Sequence, residues 1–394
     1  MRGPAGEKPK KLASSNSTRK KHTLKTREAI VRITIGLNVV VFGLVAGFIG
    51  GCSSGNFPSS GDGIALKASL AQSIQVEHRF KHTLSVALPT GLRARFASLV
   101  PLERSPRAFA MSTPPPACRT YGADASVACQ IVTCSPASNI CDVYTTTGTL
   151  IGLRSGFDEP QGVAADRHGN SYIANTVAST VLEFNRGFSI LEATYQDPAE
   201  YPVDVSVFPA RSVLAAGNIE SVSGGPGSVS VYAAGSTTPT SILTDPSVGF
   251  AQGIAVAFDR GGDCFWSLND LNTEQGQIDE FHRCAGSPQK VVSGLGFAGG
   301  VAFDSLGNLY YTDQLAGTLF KCTGTTSCTT LTSGFVDPIM INFDDRLRFL
   351  WLVDYGAALV DAVDTTSGGV VASFSAGGAS TPPVGVAHVP GPPY

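Results

Sequence analysis

One phrase recurs through the second half of this 394-residue chain. Its clearest copy is Pro160-Gln161-Gly162-Val163-Ala164-Ala165-Asp166, then His168-Gly169-Asn170, then Ser171-Tyr172-Ile173-Ala174-Asn175. Residues 300–304, 306–308 and 309–313 repeat it, and residues 253–259, 262–263 and 264–267 repeat it more loosely. Every copy is a small apolar run, a Gly-containing turn and a second apolar run. Small apolar residues on both faces mark a strand buried between neighbours. Gly and Asn supply the left-handed positions of a tight turn. The phrase therefore encodes a hairpin whose first strand is packed on all sides.

Spacing turns the hairpin into an architecture. Inner-strand candidates begin near Val163, Val203, Ile254, Val301, Ile341 and Val386, at intervals of 40, 51, 47, 40 and 45 residues. A period in the forties with four short strands per unit is the signature of a β-propeller, and six starts give six blades. In the first unit the strands read Gly162–Ala165, Tyr172–Ala174, Thr180–Phe184 and Ser189–Ala193. Later third strands read Ser228–Tyr232, Gln277–Phe281 and Thr318–Lys321. The last unit has an inner strand, Val384–Val389, and then stops. Its missing strands are expected upstream, at Cys129–Thr133, Cys141–Tyr144 and Gly148–Ile151. Such an exchange closes the ring and leaves no large open edge. The low charge, 15%, and the 44 Gly suit a turn-rich all-β fold.

The N-terminal third is different. Residues 1–32 hold ten Lys or Arg against Glu7 and Glu28. An apolar run follows over residues 33–51, about the length that spans a bilayer as a helix. Positive charge before the run keeps that end cytoplasmic, so the remainder is expected outside, on the bacterial cell envelope. The run ends Ile49-Gly50-Gly51-Cys52, which resembles a lipobox; that resemblance implies cleavage before Cys52 and lipidation of its thiol. The other reading is an uncleaved membrane anchor with an incidental Cys52. Residues 52–117 read as a linker or stalk, stiffened by Pro114-Pro115-Pro116. Residues 118–394 form the propeller.

Eight further cysteines, Cys118, Cys129, Cys134, Cys141, Cys264, Cys284, Cys322 and Cys328, suit disulfides in an exported chain. Cys264 and Cys284 fall on one blade, Cys322 and Cys328 flank a strand turn, and so do Cys134 and Cys141. This leaves Cys118 with Cys129. Four cysteines permit three connectivities, so the pairings are expectations that need suitable Cα separations.

The stretch from Pro160 to Phe184 closely resembles the NHL repeat, and the Gly300–Phe320 copy is nearly as good. The units at Val203 and Ile341 depart from it, with Asp344-Asp345-Arg346 in place of the usual Gly-Asn turn. Leu309-Tyr310-Tyr311-Thr312-Asp313 is also similar to the YWTD propellers of receptors. Both resemblances imply six blades and a binding or scaffold role toward a protein, peptide or glycan.

A third resemblance, to gluconolactonase-like propellers, implies a divalent-metal-dependent hydrolase with Glu, Asn and Asp in the channel. The nearest match is Glu159. Asn175, Asn218, Asn269 and Asp313 come at or near second-strand ends, and Asp204 lies on an inner strand. Such oxygen donors would suit Ca²⁺. The same residue types also make local turns by bonding nearby backbone groups. The motif context around Glu159 is absent. No His-x-x-His, Gly-x-Ser-x-Gly or phosphate loop occurs, and the cysteines lack paired zinc-ligand spacing. From Tyr121 onward 10 Lys or Arg face 26 Asp or Glu, a net charge of −16. A strongly acidic domain is a poor binder of nucleic acid, whose phosphates call for Lys and Arg.

Overall fold

The computed structural model describes residues 129–393, apart from 209, 211 and 378–380. Cys52, Cys118, the apolar run and the linker lie outside the described residues. Among the described residues no helix is long and apolar enough to cross a membrane.

Twenty-four strands form six four-stranded antiparallel sheets, as the repeat predicts. The first full blade is β4 (Pro160–Ala165), β5 (Ser171–Asn175), β6 (Thr180–Phe184) and β7 (Leu191–Gln196). The second is β8 (Glu200–Phe208), β9 (Val213–Ser221), β10 (Pro226–Tyr232) and β11 (Ser241–Leu243). The third runs β12 (Ala251–Phe258), β13 (Cys264–Asp270), β14 (Gln275–Phe281) and β15 (Gln289–Leu295). The fourth is β16 (Ala298–Phe303), β17 (Leu309–Asp313), β18 (Thr318–Thr323) and β19 (Ser327–Ser333). The fifth is β20 (Pro338–Phe343), β21 (Phe349–Asp354), β22 (Leu359–Asp364) and β23 (Val370–Ser375).

The closing blade has the order β24-β1-β2-β3. Here β24 is Gly385–Val389, β1 Gln130–Ser135, β2 Ile140–Thr145 and β3 Leu150–Ser155. Its inner strand comes from the C-terminal side and its other three strands from the N-terminal side, so the ring closes by main-chain pairing.

Inner strands β4, β12, β16 and β24 are buried at every position, which explains their run of Gly, Ala and Val. Gly162 has a further reason. A Cβ there would meet Asp204 and the Val203 carbonyl of the next inner strand, so the close approach of β4 and β8 requires glycine. Packing between blades is aromatic: Phe265 lies against Phe303 at 4.4 Å between ring centroids, and Tyr310 against Phe343 at 5.2 Å.

The outer strand of the first blade begins at Leu191, two residues later than the sequence suggests. The Asn185 carboxamide oxygen accepts the Ser189 and Ile190 amides and so lengthens the preceding turn. The units at Val203 and Ile341, degenerate in sequence, form complete blades. Disulfides join Cys134 to Cys141, Cys264 to Cys284 and Cys322 to Cys328.

Candidate functional site

Two sets of acidic and amide side chains flank the inner strands β4, β16 and β20, and each has a local purpose. At the exit end, Asp166 Oδ1 accepts the His168 and Asn170 amides at 2.8 and 2.9 Å. Asp304 does the same for Leu306 and Asn308. Asp344 holds the Arg348 and Phe349 amides, so the Asp-Asp-Arg turn works without Gly-Asn.

At the entry end, Asn175 Oδ1 accepts the Asp158 amide at 2.7 Å. Asp313 takes three amides: Gly296 at 2.8, Phe297 at 3.2 and Ala316 at 3.0 Å. Asn269 Oδ1 accepts the Ala298 amide of the next blade at 2.8 Å. Asp354, not singled out in the sequence, clamps Val336 and Asp337 in the same manner. These second-strand ends therefore clip the loop that enters an inner strand. Glu159, at the start of β4, has a left-handed backbone (φ 56°), and its amide donates to Asn139 Oδ1 at 2.9 Å.

Asp204 stands apart from those loop ends. It lines a channel cavity of about 60 Å³ near the exit ends of the inner strands, together with Ser206, Asn342 and Phe258. Its Oδ2 accepts the Val256 amide at 2.9 Å. Burial pushes its carboxyl up to about 7, against the lowering effect of that hydrogen bond. Pro392 also borders the cavity, and the Gly391 amide donates to the Asp166 carbonyl at 2.8 Å. The segment after β24 thus folds across this mouth.

Asn218 belongs to a different group, buried in the second blade. Its Nδ2 donates to Ser228 and Ser230 at 3.0 and 2.9 Å. Ser230 in turn donates to Asp197 Oδ1 at 3.0 Å. Asp197 and Glu200 were not singled out in the sequence. The only signal was two acids three residues apart just before an inner strand.

Among the described residues, one set of three His, Cys, Asp or Glu side chains brings ligand atoms within 4.8 Å of one another: Cys129, Asp345 and His388. Glu159, Asp204 and Asp313 form no such set. Cys129 is disulfide-bonded, which denies the first set a thiolate. Burial holds the His388 imidazole below its usual range, and its Nδ1 lies 2.8 Å from the Pro390 carbonyl oxygen.

Among the described residues, three of the exposed large apolar side chains fall on one strand, β3. Leu150, Ile151 and Leu153 on β3 are 51%, 51% and 60% exposed. Among the described residues strand β3 pairs only with β2, so no described strand covers its other edge. Arg154 of β3 donates to the carbonyls of Phe188 and Ser189, which brings exposed Ile190 of the first blade alongside.

No family model matches the sequence, and no curated protein does. Among solved structures, a chain of a nidogen/laminin complex matches with a TM-score of 0.54 and 14% identity, over 66% of this chain and 98% of its own. A hydrazine synthase from Kuenenia stuttgartiensis matches at TM-score 0.45 and 12% identity, over 59% and 76%. A calcium-binding regucalcin from Agrobacterium tumefaciens matches at 0.45 and 12%, over 59% and 78%. The first of these likenesses carries the fold.

Proposed function

We propose that this chain is a membrane-tethered binding module outside the cytoplasm, which captures an extended segment of a protein or peptide along the outer edge of its closing blade. The observation that carries this reading is β3 itself. An edge strand offers free backbone donors and acceptors, and an added strand satisfies them. Leu150, Ile151 and Leu153 supply apolar contact for the incoming side chains. A glycan offers neither the matching strand backbone nor the matching apolar groups. The nidogen/laminin chain belongs to a protein assembly, and the likeness to it extends to the fold alone. The tether rests on the basic leader and the apolar run at 33–51, with Cys52 as its lipid site. The hydrolase alternative gains no support from the loop ends, because Asn175, Asn269 and Asp313 use their oxygens on backbone amides.

Selection of a displayed peptide library on the full-length chain tests the reading. Selected peptides should be extended, with alternating apolar residues, and should lose at least about tenfold in affinity for the Ile151→Lys, Leu153→Lys double variant. Peptides that bind wild type and double variant equally would remove β3 as the site.

A further inference from the structure

The acidic group in the second blade has more oxygen acceptors than donors. Asp197, Glu200, Asn218, Ser228 and Ser230 are at least nine-tenths buried. The donors available are two Asn218 N–H groups, two serine hydroxyls and the Tyr232 hydroxyl, which lies against Asp197 and also donates to the Gln196 carbonyl at 3.4 Å. Asn218 spends both N–H groups on the serines. Ser230 spends its hydroxyl on Asp197 Oδ1, and Ser228 lies beside the Glu200 carboxyl. Three oxygens remain without a hydrogen-bond partner: Asp197 Oδ2, Glu200 Oε2 and Asn218 Oδ1. A buried oxygen left so costs on the order of 1–3 kcal/mol, and more if charged. No Lys, Arg or His enters the hydrogen bonds or ion pairs of these residues.

The third blade shows what a self-sufficient version looks like. Asp245 occupies the corresponding entry loop, and Gln277 and Asp279 take the β14 positions that match Ser228 and Ser230 on β10. There the Gln277 amide donates to Asp245 Oδ2 at 3.2 Å and to both Asp279 oxygens at 2.8 and 3.0 Å. That group has no orphan oxygen. The second blade has Ser228 where the third has the bridging Gln277, and opposite it Asn218 where the third has Leu268, so it lacks the bridging amide and gains an amide carbonyl.

We infer that Asp197, Glu200 and Asn218 bind a hard divalent cation of the Ca²⁺ class, with the Ser228 hydroxyl beside it. Two carboxylates and an amide carbonyl are the donor types that Ca²⁺ takes, and water completes its six to eight ligands. A cation supplies the missing electrophile and neutralises two buried acids three residues apart. The site is distinct from the channel and from the loop ends, of which only Asn218 contributes. It stands independently of the binding edge on β3.

Tb³⁺ replaces Ca²⁺ at oxygen sites and luminesces when a nearby tyrosine is excited. Tyr232, fully buried and in contact with Asp197, is the antenna. Full-length protein titrated with Tb³⁺ should show tyrosine-sensitised emission that CaCl₂ displaces, and Ca²⁺ should raise Tm by about 2 °C or more over EDTA. Asp197→Asn and Glu200→Gln, which keep shape and remove charge, should each lower Tb³⁺ affinity at least about tenfold, while Asp279→Asn in the third blade leaves it unchanged. Emission that survives both second-blade variants would overturn the site. So would a wild-type Tm indifferent to Ca²⁺, the behaviour of two carboxyls that share a proton instead.

Discussion

Ile131 lies opposite His388 in the register between β1 and β24. The first described strand is thereby bonded to the last, and the ring closes through backbone hydrogen bonds as well as through side-chain packing. Ile131 is fully buried in one apolar cluster with Trp351 and Val386.

Closure should therefore be measurable as coupling between the two ends of the chain. Ile131→Ala is expected to cost about 2–4 kcal/mol in urea unfolding. Val386→Ala, from the other end, removes part of the same cluster. A double-mutant cycle should give a coupling of at least about 0.5 kcal/mol, where distant sites would add independently.

The entry-loop clips give a second expectation. Asp313→Ala removes the acceptor for three backbone amides and should cost about 3 kcal/mol, with Asp313→Asn losing less because one oxygen remains. The loss should be the same in EDTA as in CaCl₂. A Ca²⁺-dependent loss would make Asp313 a metal ligand and not a clip.

Stability should fall with rising pH near neutrality. Burial raises Glu200, Asp204 and Asp279 each to about 7. Unfolded Asp and Glu titrate near 4, at about 3.9 and 4.3. Between those values the folded chain holds protons that the unfolded chain has released, so the contribution is complete below about pH 4 and is lost as pH rises through about 7. In EDTA, Tm should rise on going from pH 8 to 6.5. Below that, His388, buried and held low, opposes the trend because unfolding lets it take up a proton. Asp204→Asn should raise Tm at pH 8 and flatten the slope; a slope unchanged by this variant would contradict the assignment.

The disulfides should contribute according to the loop each closes. Cys264 and Cys284 are 20 residues apart, Cys322 and Cys328 only 6. On chain entropy, losing the first should cost about 3 kcal/mol and the second about 2. Paired Cys→Ser variants compared by thermal melting would show the order.

The scaffold was legible in the sequence because it rests on local, repeated rules. Gly162, Asp166 and Asn170 announce a hairpin whatever surrounds them, and counting their copies yields six blades. The exchange of strands at the closing blade was legible too, since Val384–Val389 lacked partners and residues 129–151 had strands to spare. The site was harder to read. Asn175 and Asp313 have one appearance in a sequence whether they bind a metal or clip a loop, and only the positions of the Asp158 and Gly296 amides distinguish the two. Asp197 and Glu200 gain meaning from Ser230 and Asn218, which reach them from other strands. Leu150 and Ile151 read as one more apolar strand, whereas the strand runs on through Leu153, and the exposure of all three follows from β3 being outermost in its blade.

Hydrogen exchange on β3 tests the binding claim most directly. Amides of Leu150–Ser155 should exchange fast in the free protein wherever they face the open edge, and should slow at least about tenfold when a selected extended peptide is bound. Protection that appears instead around the channel mouth, with the β3 amides unchanged, would contradict the account.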